Sequence, residues 1–451
     1  MARNAIVLMI DRLGSGFLGP YGNTWVDTPA LNRLASESLL FETVIGDSTR
    51  LDQIYDSYWL GSHAAGRGGT QLRRSSVAAA AQEPSAPRHL AMALDASQKP
   101  LEKGFDHPSL LRLLAQSGIR PVVVTDSEEV AKHPLSSGFC EALLHGDEAP
   151  ATAAAVDETR TAELFAAALQ RVQELNSPFL VWVHAAAMNA AWDAPYPYRA
   201  SLADEEDPPP PDASQPPAWK LGETYDPDEL LGWIQAYAGE VIAVDELIGA
   251  LLEAIDETGL AEETLVVLAS PRGYPLGEHG FVGAEGDQLH TELLETPLLI
   301  RDPRHRDSSL RVLNLVQPAD LYATLLDWFQ LSAAGEPGPS SNATASLVAT
   351  APLSPPTSQP TSAESKWELL TRPRESLLHL ADQPAWSRAL ALSVHDSAWA
   401  LRTPEWFLVH MSDGREWLYA KPDDRWEVNE VSDRCRQIVE QLEEEVRPWL
   451  G

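Results

Sequence analysis

The chain has 451 residues and a formal net charge of −33 at pH 7, from 66 acidic and 33 basic residues. This charge repels nucleic-acid phosphates and anionic membrane surfaces, so we predict neither a nucleic acid nor a membrane as a partner. The length and the 44% share of apolar residues allow a full α/β core with a smaller appended domain.

Cysteine content and the amino-terminal residues bear on the cellular location. The only cysteines are Cys140 and Cys435, so neither a disulfide framework nor a cysteine-based zinc site is predicted. The first apolar run, AIVLMI, is followed at once by Asp11 and Arg12. A secretory signal needs a longer apolar segment, and a membrane helix needs about 18 apolar residues. We therefore predict a cytoplasmic protein.

Short apolar strands alternate with helices through the first two thirds of the chain. Apolar runs closed by turn signals predict strands at Ala5–Ile10, Pro121–Thr125, Phe179–His184, Thr264–Ala269 and Pro297–Ile300. Helical spacing and start signals predict helices from Thr28-Pro29 through Leu39, and at Ser109–Gln116, Ala162–Leu175 and Ala238–Glu257. This alternation predicts a largely parallel sheet with helices on both faces.

Functional groups of such sheets collect beyond the carboxyl ends of the strands. The residues directly after the predicted strands are therefore the candidates for a site, namely Asp11, Arg12, His184 and the segment Ser270–Gly273.

Three stretches have the composition of loops or linkers. Gly66–Ser97 is rich in Ala, Ser, Arg and Gly, and Asp204–Pro217 (DEEDPPPPDASQPP) predicts an exposed, acidic polyproline loop. Ser332–Ser365 is rich in Ser, Thr, Pro and Ala and predicts a linker. We accordingly predict a main domain at 1–331, a linker at 332–365 and a small α+β domain at 366–451. Its predicted elements are strands at Ala389–Val394, Ala398–Arg402, Trp406–His410 and Trp417–Ala420 and a helix at Ser432–Val446.

Five segments form an ordered set of motifs. Residues 5–42 combine a strand, an Asp at its end, a glycine turn and a Thr-Pro helix start. Residues 237–283 combine a helix with a central Asp, a strand, Ser-Pro-Arg-Gly and Gly-Glu-His-Gly. The segments TELLETPLLIRDP, VQPADLYATLLDW and LYAKPDDRWEVNEV follow. Together they resemble the motif blocks of the sulfatase family, within the alkaline-phosphatase-like superfamily.

The resemblance implies both a fold and a chemistry. The fold is an alkaline-phosphatase-like three-layer α/β/α sandwich with a mostly parallel sheet and a small C-terminal α+β subdomain. The family activity is hydrolysis of sulfuric esters. A divalent cation, usually calcium, is held by two Asp after the first strand and by an Asp with an Asn or His after the fourth. A Cys or Ser converted to formylglycine attacks sulfur.

At the cation ligands this chain departs from the family pattern. Asp11 is kept, but Arg12 replaces the second Asp, and Pro271 and Arg272 replace the later ligand pair. Asp11 is thus the only remnant metal ligand, and no cofactor is expected unless calcium binds an altered form of the site.

The nucleophile motif is also replaced. Alignment from Gly61 places Leu51 at the nucleophile and Tyr55 at the arginine of the motif, so formylglycine chemistry is excluded. Glu278 and His279 match the family's Gly-Glu-His-Gly block, for which we predict a loop-shaping role.

Three functions remain open on this basis. Arg12 and Arg272 are expected beside Asp11, where they would form an anion-binding pocket or simply compensate its charge. The ligand of such a pocket would be a sulfated or phosphorylated small molecule or glycan. Alternatively, a rearranged hydrolase site would use Thr49 as nucleophile together with His184. The third function is a non-catalytic subunit that contacts a protein partner, which the sequence does not identify.

Overall fold

The computed structural model describes residues 3–67, 90–92, 108–139, 141–144, 152–283, 289–305, 307–331, 376–380 and 388–450. The predicted linker at 332–365 lies outside the described residues, as does most of the predicted insertion at 66–97.

The secondary structure follows the predicted α/β pattern. The strands are β1 Asn4–Ile10, β2 Leu39–Val44, β3 Leu90–Met92, β4 Arg120–Thr125, β5 Glu141–Leu144, β6 Phe179–Ala185, β7 Trp219–Lys220, β8 Thr264–Ala269, β9 Phe281–Val282, β10 Leu298–Arg301, β11 Leu310–Val316, β12 Ala391–His395, β13 Ala398–Arg402, β14 Trp406–His410 and β15 Glu416–Ala420. The α-helices are α1 Pro29–Ser36, α2 Leu51–Leu60, α3 Leu110–Gln116, α4 Glu128–Ala131, α5 Arg160–Glu174, α6 Tyr196–Ala200, α7 Pro227–Glu257, α8 Thr291–Leu294, α9 Pro318–Trp328 and α10 Arg436–Leu450.

Nine strands form the central sheet in the order β11-β2-β10-β8-β1-β6-β4-β5-β3. β10 runs antiparallel to both of its neighbours and β3 runs antiparallel to β5, while the other pairs are parallel. All seven residues of β1 are buried. Its alternate side chains enter two different cores, since Val7 packs with α2 and α9 and Leu8 packs with α5 and α7. The sheet is thus the middle of three layers, as predicted.

Two elements near the amino terminus differ from the prediction. The first helix ends at Ser36, and Leu39 begins β2 instead of continuing the helix. The reason is that Leu40 and Phe41 on this strand fill the cores on opposite faces of the sheet. The helix α2 was not predicted, and it begins at Leu51.

The C-terminal strands β12 to β15 form an antiparallel sheet in sequence order. One face packs on α10 through Leu408 and Val439, and the other packs on the main domain through Phe407 and Leu294. Residues 376–380, which the sequence assigned to this second domain, differ from the prediction. Their leucines belong to the core beneath α9 in the main domain, where the backbone N–H of Leu377 donates to the Thr324 hydroxyl at 3.0 Å.

The acidic polyproline stretch at 204–217 is irregular, as predicted, but it is not a free exposed loop. Arg199, whose side chain is fully buried, donates to the carbonyls of Pro211 and Ala213 at 2.8 and 3.0 Å. The amide of Trp192 donates to the carbonyl of Ser214 at 2.6 Å. The acidic side chains of 204–206 face solvent while the backbone is anchored to the core.

Across the described residues, no helix combines the length and the apolar character that crossing a bilayer requires. The cytoplasmic location stays a prediction.

Candidate functional site

The carboxyl ends of β1 and β8 lie side by side and position the central residues of the site. The strands are parallel neighbours, with Met9 opposite Ala269. Their following loops are joined because the amide of Leu13 donates to the Ser270 hydroxyl at 3.2 Å, and that hydroxyl donates to the carbonyl of Arg272 at 2.7 Å. The side chains after both strands therefore meet at one point.

Asp11 and Arg272 form a buried bidentate ion pair at this point. Arg272 Nε and Nη2 donate to the two carboxylate oxygens of Asp11, each at 3.0 Å. The third nitrogen, Nη1, donates to the carbonyl of Thr49 at 3.2 Å. Burial by itself would raise the pKa of Asp11, but the adjacent guanidinium outweighs it and holds that pKa below its usual value. Asp11 is therefore ionised and fully paired.

Arg12 lies beside this pair but points to a different partner. Its backbone is in the left-handed region, with φ of 64°, and Nε donates to the side-chain oxygen of the exposed Asn189 at 2.6 Å. The guanidinium lies over the ring of Tyr274, 5.7 Å from its centroid. Among the described residues, no carboxylate lies within ion-pair distance of Arg12, and its buried Nη1 has no hydrogen-bond partner. Burial, and secondarily Arg272, lower the pKa of Arg12 to about 10, so it remains charged at neutral pH.

His184 belongs to a neutral, buried group beneath the ion pair. Its Nδ1 is 2.6 Å from the hydroxyl of Tyr55, which also accepts from the indole N–H of Trp182 at 3.3 Å. Burial lowers the pKa of His184 to about 4, so the imidazole is uncharged at neutral pH. Burial raises the pKa of Tyr55, so its hydroxyl is neutral as well.

Besides the backbone contact with Arg272, Thr49 makes a contact through its side chain. Its hydroxyl is hydrogen-bonded to Nδ1 of His395, the last residue of β12 in the C-terminal sheet. Nε2 of His395 lies 3.9 Å from the carboxylate of Asp396, which is itself exposed. The main domain is tied to β12 at this place, since the amide of Val394 donates to the carbonyl of Asp47 at 3.0 Å.

Arg272 thus contacts both the Asp11 carboxylate and the backbone carbonyl of Thr49. Arg12 and His184 lie close enough to Asp11 to affect its pKa, but neither is bonded to it. Sequence reasoning missed Asn189 and His395. Asn189 comes four residues after the end of β6, in the turn that follows this strand, a position that the strand-end rule could have included. His395 is separated from Thr49 by 346 residues, and no local pattern links them.

Two further acids, Asp126 and Glu129, face the ion pair from the segment after β4. Burial raises the pKa of both, and the positive charge of Arg272 opposes this in Glu129. Asp126 accepts from the amide of Ala186 at 2.7 Å. The Asp11–Arg272 pair is neutral as a unit, so Arg12 carries the positive charge at the site that has no carboxylate bonded to it among the described residues.

The glycines of the Ser-Pro-Arg-Gly and Gly-Glu-His-Gly segments meet tight backbone constraints. A Cβ at Gly273 would overlap the carbonyl oxygen of Glu292, so only glycine allows the loop to pass α8 here. Gly277 and Gly280 have φ of 109° and 78°. His279 pairs with Glu292 at 2.8 Å through its Nδ1.

Comparison with known proteins identifies the family. A sequence model of the family described as Sulfatase matches residues 3–331. The chain belongs to the sulfatase family. The predicted family is therefore confirmed, and the ion pair just described stands at the place where the resemblance locates the sulfatase cation.

The chain matches curated relatives over part of their length. The chain is 28% identical over 169 residues to the multifunctional alkaline phosphatase superfamily protein PehA of Trinickia caryophylli, covering 34% of this chain and 31% of that protein. It is 26% identical over 221 residues to an N-acetylglucosamine-6-O-sulfatase of Bacteroides thetaiotaomicron, covering 48% and 35%. The chain thus spans about a third of the length of these relatives.

Solved structures of similar fold match over nearly their full length. A phosphonate monoester hydrolase of Agrobacterium radiobacter gives a TM-score of 0.67 at 15% identity, covering 99% of this chain and 95% of that one. A protein solved with its substrate D-glucosamine-2-N,6-O-disulfate gives 0.66 at 15% identity, covering 100% and 98%. These matches confirm the predicted alkaline-phosphatase-like fold.

Proposed function

We propose that this sulfatase-family chain does not use the formylglycine and calcium catalysis of its family. The observation that carries the proposal is the bidentate pair of Arg272 with Asp11. Both oxygens that a cation would need already accept from a guanidinium. Arg12 and Pro271 bring no oxygen ligand on their side chains, and Leu51 has no group that can become a formylglycine. These residues do not fit calcium, whose ligands are oxygens.

We further propose that the site binds an anionic group at Arg12. A buried guanidinium without a carboxylate partner favours an anion, because its charge is not paired and its buried Nη1 has no hydrogen-bond partner among the described residues. Asn189 holds the guanidinium from the exposed side. A sulfated glycan is the favoured ligand, because one similar protein is named an N-acetylglucosamine-6-O-sulfatase and another was solved with its substrate D-glucosamine-2-N,6-O-disulfate. A phosphorylated small molecule has the same tetrahedral geometry and a larger negative charge.

Sulfate is expected to stabilise the wild-type protein against thermal unfolding, and Arg12→Gln is expected to abolish this stabilisation. The reason is that an anion bound only to the folded state raises its stability in proportion to the logarithm of its concentration. Differential scanning fluorimetry in sulfate, with chloride at matched ionic strength, measures the effect. Arg415→Gln, which changes an exposed arginine in the turn between β14 and β15, is the matched control and should leave the sulfate response intact. Equal sulfate responses in Arg12→Gln and the wild type would contradict the proposal.

One observation favours a second candidate, a hydrolase with a rearranged site. The hydrogen bond between the Thr49 hydroxyl and His395 pairs a nucleophile with a base, the arrangement that activates a hydroxyl without a metal. The guanidinium of Arg272 donates to the backbone carbonyl of Thr49 and is therefore near the proposed nucleophile. In this candidate its positive charge stabilises the negative charge that develops on the substrate. In this candidate His395 takes the catalytic place that the sequence assigned to His184.

The two candidates differ in turnover of aryl sulfates and aryl phosphates, measured with and without calcium or manganese. We expect no turnover above the uncatalysed rate. A metal-independent rate that falls about 10²–10⁴-fold in His395→Gln, the usual share of a general base, would establish the second candidate. Thr49→Val should then be inactive while Ser48→Ala, which removes the neighbouring hydroxyl, should not be. A calcium-dependent rate would contradict both candidates.

A further inference from the structure

Asn189 is the exposed side chain that contacts Arg12. It lies at the end of the short turn Ala187–Asn189, which follows β6. Its Oδ1 accepts from Nε of Arg12 at 2.6 Å, so a solvent-facing amide is bonded directly to a buried guanidinium. A ligand that approaches Arg12 from this side of the site therefore meets the amide of Asn189 as well.

The chemistry of this contact fixes the orientation of the amide. A guanidinium has donors and no acceptor, so the amide must present its oxygen to Nε of Arg12. The amide nitrogen, Nδ2, is attached to the same carbon as that oxygen, and its N–H groups are therefore turned away from Nε. Asn189 thus presents a neutral donor of its own beside the charged donors of Arg12.

The turn that carries Asn189 is held by three hydrogen bonds. The amide of Ala186 donates to Oδ1 of Asp126 at 2.7 Å, and the amide of Asn189 donates to the carbonyl of Ala186 at 2.7 Å. The indole N–H of Trp192 donates to the carbonyl of the buried Met188 at 3.0 Å. These bonds fix the backbone of the turn, so its ordering does not have to be supplied by a ligand.

Arg12 is held from the other side by two tyrosines. The hydroxyl of Tyr237 donates to the carbonyl of Arg12 at 2.7 Å and accepts from the amide of Gly14 at 2.8 Å. The ring of Tyr274 faces the guanidinium and stacks on the ring of Tyr237, with centroids 5.6 Å apart. The side-chain contacts of the guanidinium described here, an aromatic ring and an amide, are uncharged, so they orient it without pairing its charge.

The side chain at position 189 decides whether the charge of Arg12 stays unpaired. Aspartate has nearly the shape of asparagine, and at this position its carboxylate would face Nε of Arg12 and form an ion pair. Such a charged hydrogen bond is roughly twice as strong as a neutral one, so support of Arg12 alone would be served better by an acid. The amide gives the weaker contact and leaves the positive charge available.

We propose that Asn189 controls anion binding at Arg12, an inference that rests on the anion site proposed above. Its Oδ1 positions the guanidinium, and its Nδ2 donates to an oxygen of the bound anion. A tetrahedral oxyanion has several acceptor oxygens, so one oxygen accepts from the amide while another accepts from the guanidinium. Because the amide is neutral, the positive charge of Arg12 is left for the ligand.

The test is a sulfate titration of the full chain, followed by thermal unfolding at constant ionic strength. Asn189→Asp should lose the stabilisation by sulfate, because the new carboxylate pairs with Arg12 and repels the anion. Asn189→Ala should weaken the apparent sulfate affinity by about 2–12-fold, the usual effect of one hydrogen bond. Asn429→Asp is the matched control, since it adds the same charge to an exposed residue after β15, and it should respond to sulfate as the wild type does.

A double-mutant cycle without sulfate tests the pairing separately. Asn189→Asp should change the melting temperature more favourably in the wild-type background than in the Arg12→Gln background, because only the wild type offers the guanidinium partner. Equal changes in the two backgrounds would overturn the inference, as would a full sulfate response in Asn189→Asp. Both results would leave the anion site at Arg12 standing. Equal sulfate responses in Arg12→Gln and the wild type would instead remove that site, and the role of Asn189 with it.

Discussion

Replacing Arg272 by methionine is expected to lower the free energy of unfolding by about 3–5 kcal/mol, the usual cost of removing one partner of a buried ion pair. Asp11 is completely buried and both of its oxygens depend on this guanidinium. Methionine keeps much of the aliphatic volume but leaves the carboxylate without a counter-ion. Urea unfolding followed by circular dichroism measures the loss.

A double-mutant cycle separates the pair from the packing around it. Asp11→Leu combined with Arg272→Met should recover most of the lost stability, because no uncompensated charge remains. Arg33→Met is the matched control on an exposed arginine with acidic partners, where a change of about 0–1 kcal/mol is expected. If Arg272→Met were no more destabilising than Arg33→Met, the ion pair would not hold the site together.

Restoring the family's ligands is expected to create a calcium site. The triple variant Arg12→Asp, Pro271→Asp, Arg272→Asn returns carboxylate and amide oxygens beside Asp11 and removes both arginines. Calcium at roughly 100 times its Kd should then stabilise the variant by about 2.7 kcal/mol, whereas the wild type should not respond. Thermal unfolding with calcium and with a chelator measures the difference.

The restored site has its own control. Adding Asp11→Asn to the triple variant should abolish or strongly weaken the calcium response, because the central carboxylate is lost. If the triple variant folds and calcium leaves its melting temperature unchanged, then the loops no longer hold the ligand geometry of the family. Equal calcium responses in the wild type and the triple variant would contradict the account of the Asp11 site given above.

The strands that position the site were predictable from their composition. β1, β6 and β8 are continuous apolar runs because both of their faces are buried, and such runs are easily recognised. Asp11 and Arg272 follow two of them, and the carboxyl-edge rule places their side chains near each other. Their pairing therefore followed from the order of elements and from the chemistry of a carboxylate and a guanidinium.

The remaining features depend on contacts that leave no local pattern. The helix α2 has no side-chain N-cap, so no start signal marks it. The direction of Arg12 depends on a left-handed backbone that is rare outside glycine, and no motif indicates it. His395 reaches Thr49 from another domain, and Glu427 reaches His290 in the same way. The sequence placed His184 near the site, but its low pKa is a consequence of complete burial, which only the structure shows.

The bidentate contact between Arg272 and Asp11 has a consequence for how this protein is made. A cation site must be loaded after synthesis, and it empties when the supply of the ion falls or a chelator removes it. Here the neutralising charge is part of the polypeptide and arrives with translation. Formation of this centre therefore needs no loading step and does not vary with the calcium level of the surroundings.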